Sequence, residues 1–200
     1  MVRIGISVEG STEEHFVKIL LVPYFSQKGI YVTPISIHGN ISVDRVKREL
    51  ENLAYNFDYV STFYDFYGFK RKVEGETKTT LESRIKGAIK EELREKLIPY
   101  IQMYEFEGLL FSSPEAIALV LQDESLNAWA NNILEDFDNN PEKVNNSTET
   151  APSKRFEKST NYRKTTHGPN IAKQIGLVKM RDMCSGFDDW LTQLEELVNG

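Results

Sequence analysis

Residues 2–14 read VRIGISVEGSTEE. Val2, Ile4, Ile6 and Val8 alternate with Arg3, Gly5 and Ser7, the two-residue period of a β-strand. Glu9-Gly10 ends the strand, and glycine permits a sharp turn there. Ser11 and Glu14 have capping-box spacing ahead of Phe16, Val17, Ile19 and Leu20. The stretch therefore predicts strand, tight turn and helix, with Glu9 at the carboxyl end of the strand. In open α/β sheets that edge is where ligands bind. The start of a helix favours an anion. An acid beside it suggests a cation between protein and phosphate.

The rest of the chain extends this pattern. A helix is expected over 12–28, bent near Pro23. Strands are expected at 30–37, 58–66 and 99–104, with helices over 42–54 and 79–96 between them. Ser113-Pro114 has the cap and first-turn proline of another helix. The alternation predicts an α/β fold with a mostly parallel, four-stranded, Rossmann-like sheet flanked by helices. Beyond residue 122 the pattern turns helical. Residues 1–121 are read as the core and 122–200 as a helical extension packed on it, with an exposed loop over about 138–151.

Composition narrows the setting. The single cysteine, Cys184, excludes an internal disulfide, suits a reducing cytoplasm, and sits among Met180, Met183 and Phe187 as a buried thiol would. No apolar run is long enough to span a membrane, and the start lacks signal-peptide layout. The expectation is a cytoplasmic protein with no membrane partner. The net charge of −6 argues against a general nucleic-acid binder. Its distribution is uneven, however. Residues 105–149 hold ten acids against Lys143, whereas 154–181 hold eight Lys and Arg against Glu157. The basic run faces phosphate, or it pairs with the acidic one.

Three acids end predicted strands: Glu9, Asp65 and Glu105. In a parallel sheet these ends share one edge, so the three become the candidate catalytic residues. Glu13 and Glu107 are further candidate metal ligands, Glu13 being alternatively an ordinary first-turn glutamate. Carboxylates without a His or Cys cluster point to Mg²⁺ or Mn²⁺ and away from zinc. Asp65 stands in an apolar run, FYDFYGF, where an uncompensated charge is costly. Lys70, Arg155, Arg163, Lys164 and Arg181 are candidate phosphate contacts. His167 is read as a proton donor or phosphate contact, or as a packing residue. Tyr162 beside Arg163 and Lys164 has the chemistry to stack on a base.

The blocks VEGSTEEHF, TFYDFYGF and YEFEGLLF, with a tail holding PSKRFE, NYRKTTHG and CSGFDDWL, resemble a bacterial Toprim-related family, domain of unknown function 4276. VEGSTEEHF by itself resembles the glutamate motif of Toprim domains in topoisomerases, primases and nucleases of the overcoming-lysogenization-defect group. The resemblance implies a Toprim-like fold and metal-dependent phosphodiester chemistry on DNA or RNA. It also implies an AAA/ABC-type ATPase partner in an anti-phage, abortive-infection setting. It matches Glu9 to the Toprim glutamate, Glu13 to the second acid of that block, and Asp65 to the first aspartate of the Asp-x-Asp block. The second aspartate is replaced by Tyr67. Two readings follow: an Mg²⁺-dependent nuclease, or a catalytically degenerate subunit that binds and regulates an ATPase. A phosphatase of small phosphoesters is a third. A homo-oligomer is compatible with any of them.

Overall fold

A computed structural model describes residues 1–145 and 147–198. The chain divides into two compact units: Met1–Gln102 together with the chain from Trp190 onward, and Met103–Asp189. The expected boundary after residue 121 falls inside the second unit.

The first unit is an α/β layer. Its sheet runs in the order β2-β1-β3-β4, all parallel, from β1 (Val2–Val8), β2 (Ile30–Ser36), β3 (Tyr59–Asp65) and β4 (Leu97–Ile98). β5 (Ile101–Gln102) also pairs with β3. One expected fourth strand is thus two short pieces. The break falls at Pro99, which has no N–H for the ladder. Thr62 Oγ1 bridges the gap, accepting from the Tyr100 N–H at 2.8 Å and donating to its carbonyl at 2.7 Å.

Apolar side chains fill both faces of the sheet. On one, α3 (Val43–Leu53) and α4 (Lys78–Ala88) bury Val46, Leu50, Leu81 and Ile85 against Val60 and Tyr64. On the other, Phe63 meets Phe16 of α1 (Ser11–Phe16) with ring centroids 5.4 Å apart, and it stacks on Trp190 at the same spacing. The helix after β1 is bent as Pro23 predicts. A wide turn, Val17–Leu21, separates α1 from α2 (Val22–Ser26), so the ring does not meet a regular α-helical carbonyl.

The second unit is helical. It opens with a buried 3₁₀ segment, Phe106–Ser112, and continues through α5 (Pro114–Leu121), α6 (Ser125–Glu135), α7 (Pro152–Ser159), α8 (Lys164–Ile175) and α9 (Leu177–Met183). Helix α10 (Ser185–Glu196) crosses the boundary between the units. Phe111, Trp129, Phe156 and Tyr162 form a chain of aromatic contacts, with centroid spacings of 5.7, 5.5 and 4.6 Å in that order. The segment expected to be an exposed loop holds a short 3₁₀ turn, Pro141–Lys143, and buries Pro141 and Val144; Asn146 lies outside the described residues. Glu142 from this segment accepts the Gly186 and Phe187 N–H groups at 2.8 and 3.1 Å, placing a carboxylate on the start of α10. Among the described residues no helix is long and apolar enough to cross a membrane.

Candidate functional site

Parallel register dictates what meets at the sheet edge. Val8 of β1 pairs with Phe63 of β3. Continued past the paired residues, this register sets Glu9 beside Tyr64 and Gly10 beside Asp65. Glu9 and Asp65 thus stand at neighbouring strand ends. The turn after β3 brings the chain back to Glu9. Asp65 leads directly into a 3₁₀ turn, Phe66–Gly68, and a methyl carbon built on Gly68 would stand 2.3 Å from Glu9 Oε2. Glycine therefore leaves the room that the Glu9 carboxylate occupies. Asp65 itself is 5% exposed.

The cap of α1 lies one residue earlier than the Ser11/Glu14 spacing predicts. Gly10 is the cap residue, and its N–H donates to Glu13 Oε2 at 3.0 Å. One oxygen of this buried side chain is thereby committed to backbone. Glu13 fixes the turn that carries Glu9, a role distinct from that of a simple first-turn acid.

Lys72 holds the other side of the turn. Its ammonium donates to the Phe66 and Phe69 carbonyls at 3.2 and 3.1 Å and lies 5.1 Å from the centre of the Phe66 ring. Burial pulls its pKa below the usual lysine range, with Glu76 opposing that shift. Nothing in its sequence environment, GFKRKVEG, separates Lys72 from its basic neighbours; only the fold of the turn does. Tyr67, at the position where the resemblance expects aspartate, is partly buried against the apolar cluster that covers this face of the sheet. Lys70 donates to Asn40 Oδ1 at 2.6 Å.

Glu105 and Glu107 belong to the second unit. Glu105 Oε2 accepts the Ser153 N–H at 2.8 Å, capping the start of α7. Glu107 is fully buried; Tyr162 Oη donates to it at 3.2 Å and Lys164 Nζ lies 3.5 Å away. His167 packs near the Tyr162 ring, at 6.2 Å between centroids, and its Nδ1 accepts the Arg163 N–H at 3.1 Å. The blocks YEFEGLLF and NYRKTTHG thus meet around one buried carboxylate, a meeting that their separation in sequence does not announce.

The candidate phosphate contacts differ in their freedom. Arg155 Nε donates to the Thr150 carbonyl at 2.8 Å, and Arg181 is ion-paired with Asp188. The Arg163 side chain is exposed, and Lys164 is half-buried beside Glu107. Among the described residues no group of three or more His, Cys, Asp or Glu side chains is gathered as for a metal ion. The donors that neighbouring strand ends do offer, Glu9 and Asp65, are hard oxygens. Mg²⁺ is commonly held by one or two carboxylates, with water and substrate phosphate completing its shell, so the donor type fits it.

No curated protein matches the chain, and no solved structure does. A family model does match, over residues 8–195, from the end of β1 into α10. The chain belongs to the family described as Domain of unknown function (DUF4276).

Proposed function

We propose that the protein is a divalent-metal-dependent nuclease of Toprim type, cutting phosphodiester bonds of DNA or RNA. The observation that carries this reading is the placement of the Glu9 carboxylate against the Gly68 backbone, in the turn that Asp65 begins. Glu9 and Asp65 would hold Mg²⁺ or Mn²⁺. The ion, when bound, supplies Lewis-acid polarisation of a phosphoryl oxygen and lowers the pKa of a bound water. Glu13 acts from behind by locking the Gly10 turn, and so orients Glu9. Lys72 braces the turn that follows Asp65 by donating to the Phe66 and Phe69 carbonyls. Lys70, on the chain that continues from the Asp65 turn, offers a contact to the phosphate backbone. The ATPase partner and the role in phage defence rest on the resemblance to nucleases of the overcoming-lysogenization-defect group.

The test is to incubate purified protein with DNA and with tRNA, in Mg²⁺ or Mn²⁺, alone and with the ATPase encoded beside it. Cleavage is expected, and Glu9→Gln and Asp65→Asn should each abolish it. Cleavage at the wild-type rate in both variants would sink this site.

A second reading, a catalytically degenerate subunit that docks on an ATPase, draws support from Tyr67. Its ring packs into the apolar layer where a second metal-binding aspartate is expected. Calorimetry with Mn²⁺ separates the two, since only the nuclease reading requires an affinity that Glu9→Gln removes.

A further inference from the structure

A cleft in the first unit is lined by Ser42, Val43, Asp44, Lys70, Arg71 and Arg84. Its volume is about 260 Å³. That lies just under the range of pockets for drug-sized ligands, about 300–1,000 Å³, and suits a single phosphoryl group with its waters.

Three features of the walls favour an anion. Lys70, Arg71 and Arg84 stand against one lining carboxylate, Asp44. The start of α3 also opens here. Ser42 caps it by accepting the Arg45 N–H at 3.4 Å, and the Val43 and Asp44 N–H groups, at the first turn, have no helical carbonyl to pair with. Finally, Arg84 lines the cleft and spends one NH₂ group on the buried Glu76, at 2.9 Å. The other N–H groups of this side chain, which is 33% exposed, are donors for an anion in the cleft. Lys70 gives one hydrogen to Asn40 and has two more to give.

We propose that this cleft binds a phosphate group. Phosphate suits the walls because its oxygens accept guanidinium, ammonium and helix-start N–H donors at once. The inference goes beyond the nuclease reading, needing neither a divalent metal nor bond cleavage. Two sources carry the same group: a small phosphate anion, and the 5′-phosphate of an oligonucleotide.

The experiment titrates the full chain, in chelator to remove metals, with three probes. These are inorganic phosphate, a 5′-phosphorylated oligonucleotide, and the same oligonucleotide with a 5′-hydroxyl, all followed by calorimetry. Arg71→Gly is the informative variant. Arg71 sits at φ 58°, a left-handed conformation that glycine adopts freely, so the charge is removed without strain. Lys70→Gln is the second variant.

Inorganic phosphate should bind the wild type, and each substitution should weaken it about tenfold, the effect of losing one charge-assisted hydrogen bond. The thermal midpoint of Arg71→Gly should not fall below that of the wild type. If the 5′-phosphorylated oligonucleotide binds with the same dependence on Arg71 and the hydroxyl form does not, nucleic-acid ends are the source. If only inorganic phosphate binds, a small anion is the source. No binding of inorganic phosphate at millimolar concentration, or equal binding by wild type and both variants, overturns the inference. Phosphate binding without cleavage sinks the nuclease reading alone; cleavage without phosphate binding sinks this one alone.

Discussion

A methyl group at Gly68 would claim the space that Glu9 Oε2 now fills. The obstacle is the tip of a flexible side chain, so the fold absorbs it and the carboxylate moves. Gly68→Ala should therefore keep a thermal midpoint within a few degrees of wild type while reducing Mn²⁺ affinity and cleavage nearly as far as Glu9→Gln. Unchanged affinity in a folded Gly68→Ala protein would show that the placement of Glu9 is irrelevant to function. Cys184 is the opposite kind of residue. Burial pushes its thiol pKa up to about 12, with a Ser112 contact opposing and Glu142 adding to the rise. It should resist iodoacetamide at pH 8 until denaturant unfolds the second unit, as read by mass spectrometry. Rapid alkylation of the native protein would contradict that burial. The position of Glu9 and Asp65 at neighbouring strand ends was legible because each closes a local run of β-prone residues. The work of Glu105 was not. Its partner, the Ser153 N–H, lies 48 positions away, and no local pattern encodes such a pairing.

Among the elements, α4 is fastened to β5 by one side chain. Glu82 Oε1 accepts the Ile101 N–H at 2.9 Å, with Lys78 3.8 Å away. Burial raises the Glu82 pKa, and Lys78 and the Ile101 bond only partly oppose this. The folded state therefore holds this proton more tightly than the unfolded chain does. The side chain costs nothing below the unfolded value, near 4.5, and its contribution to stability is lost as pH rises through the raised folded value. Glu82→Gln keeps an oxygen for Ile101 and removes the titration. Its urea midpoint should gain on wild type as pH climbs from about 4 to 7. A constant difference between the two proteins across that window would refute this. The elements themselves were largely legible, because β-branched runs and apolar spacing are local signals. The split of the fourth strand was not, since it depends on Thr62 of a neighbouring strand replacing the bond that Pro99 cannot make. The cap of α1 was misplaced by one residue for a similar reason. Ser11 looks like the better cap, yet Glu13 reaches back to Gly10.

At the scale of the molecule, the first unit is assembled from two distant parts of the chain. Trp190 lies flat on Tyr100, with centroids 4.5 Å apart and planes within 8°, and its Nε1 donates to Ser61 Oγ at 2.8 Å. Tyr24 donates to Glu195, and Lys28 lies 3.5 Å from the same carboxylate. Trp190→Ala should cost about 3–5 kcal/mol, the usual loss for a large buried aromatic. Trp190→Phe should cost less, about 1–3 kcal/mol, through the orphaned Ser61 hydroxyl and the lost ring area. Urea denaturation of the full chain measures both, and a loss under 1 kcal/mol for Trp190→Ala would mean that the stack is idle. The sequence showed that Trp190 belongs to an apolar helical stripe. A stripe says which side is buried but not against what, so 190–198 were expected in an extension and are grouped instead with β3.

The bond between Ser61 and Trp190 spans 129 positions. A ribosome that has released all five strands still holds a sheet whose Phe63 and Tyr100 rings lack their Trp190 cover, and must synthesise the whole second unit before that indole arrives. During that delay the exposed Phe63 and Tyr100 rings are open to chaperones and to other nascent chains, so slow translation of the second unit should lower the yield of soluble protein more than slow translation of the first.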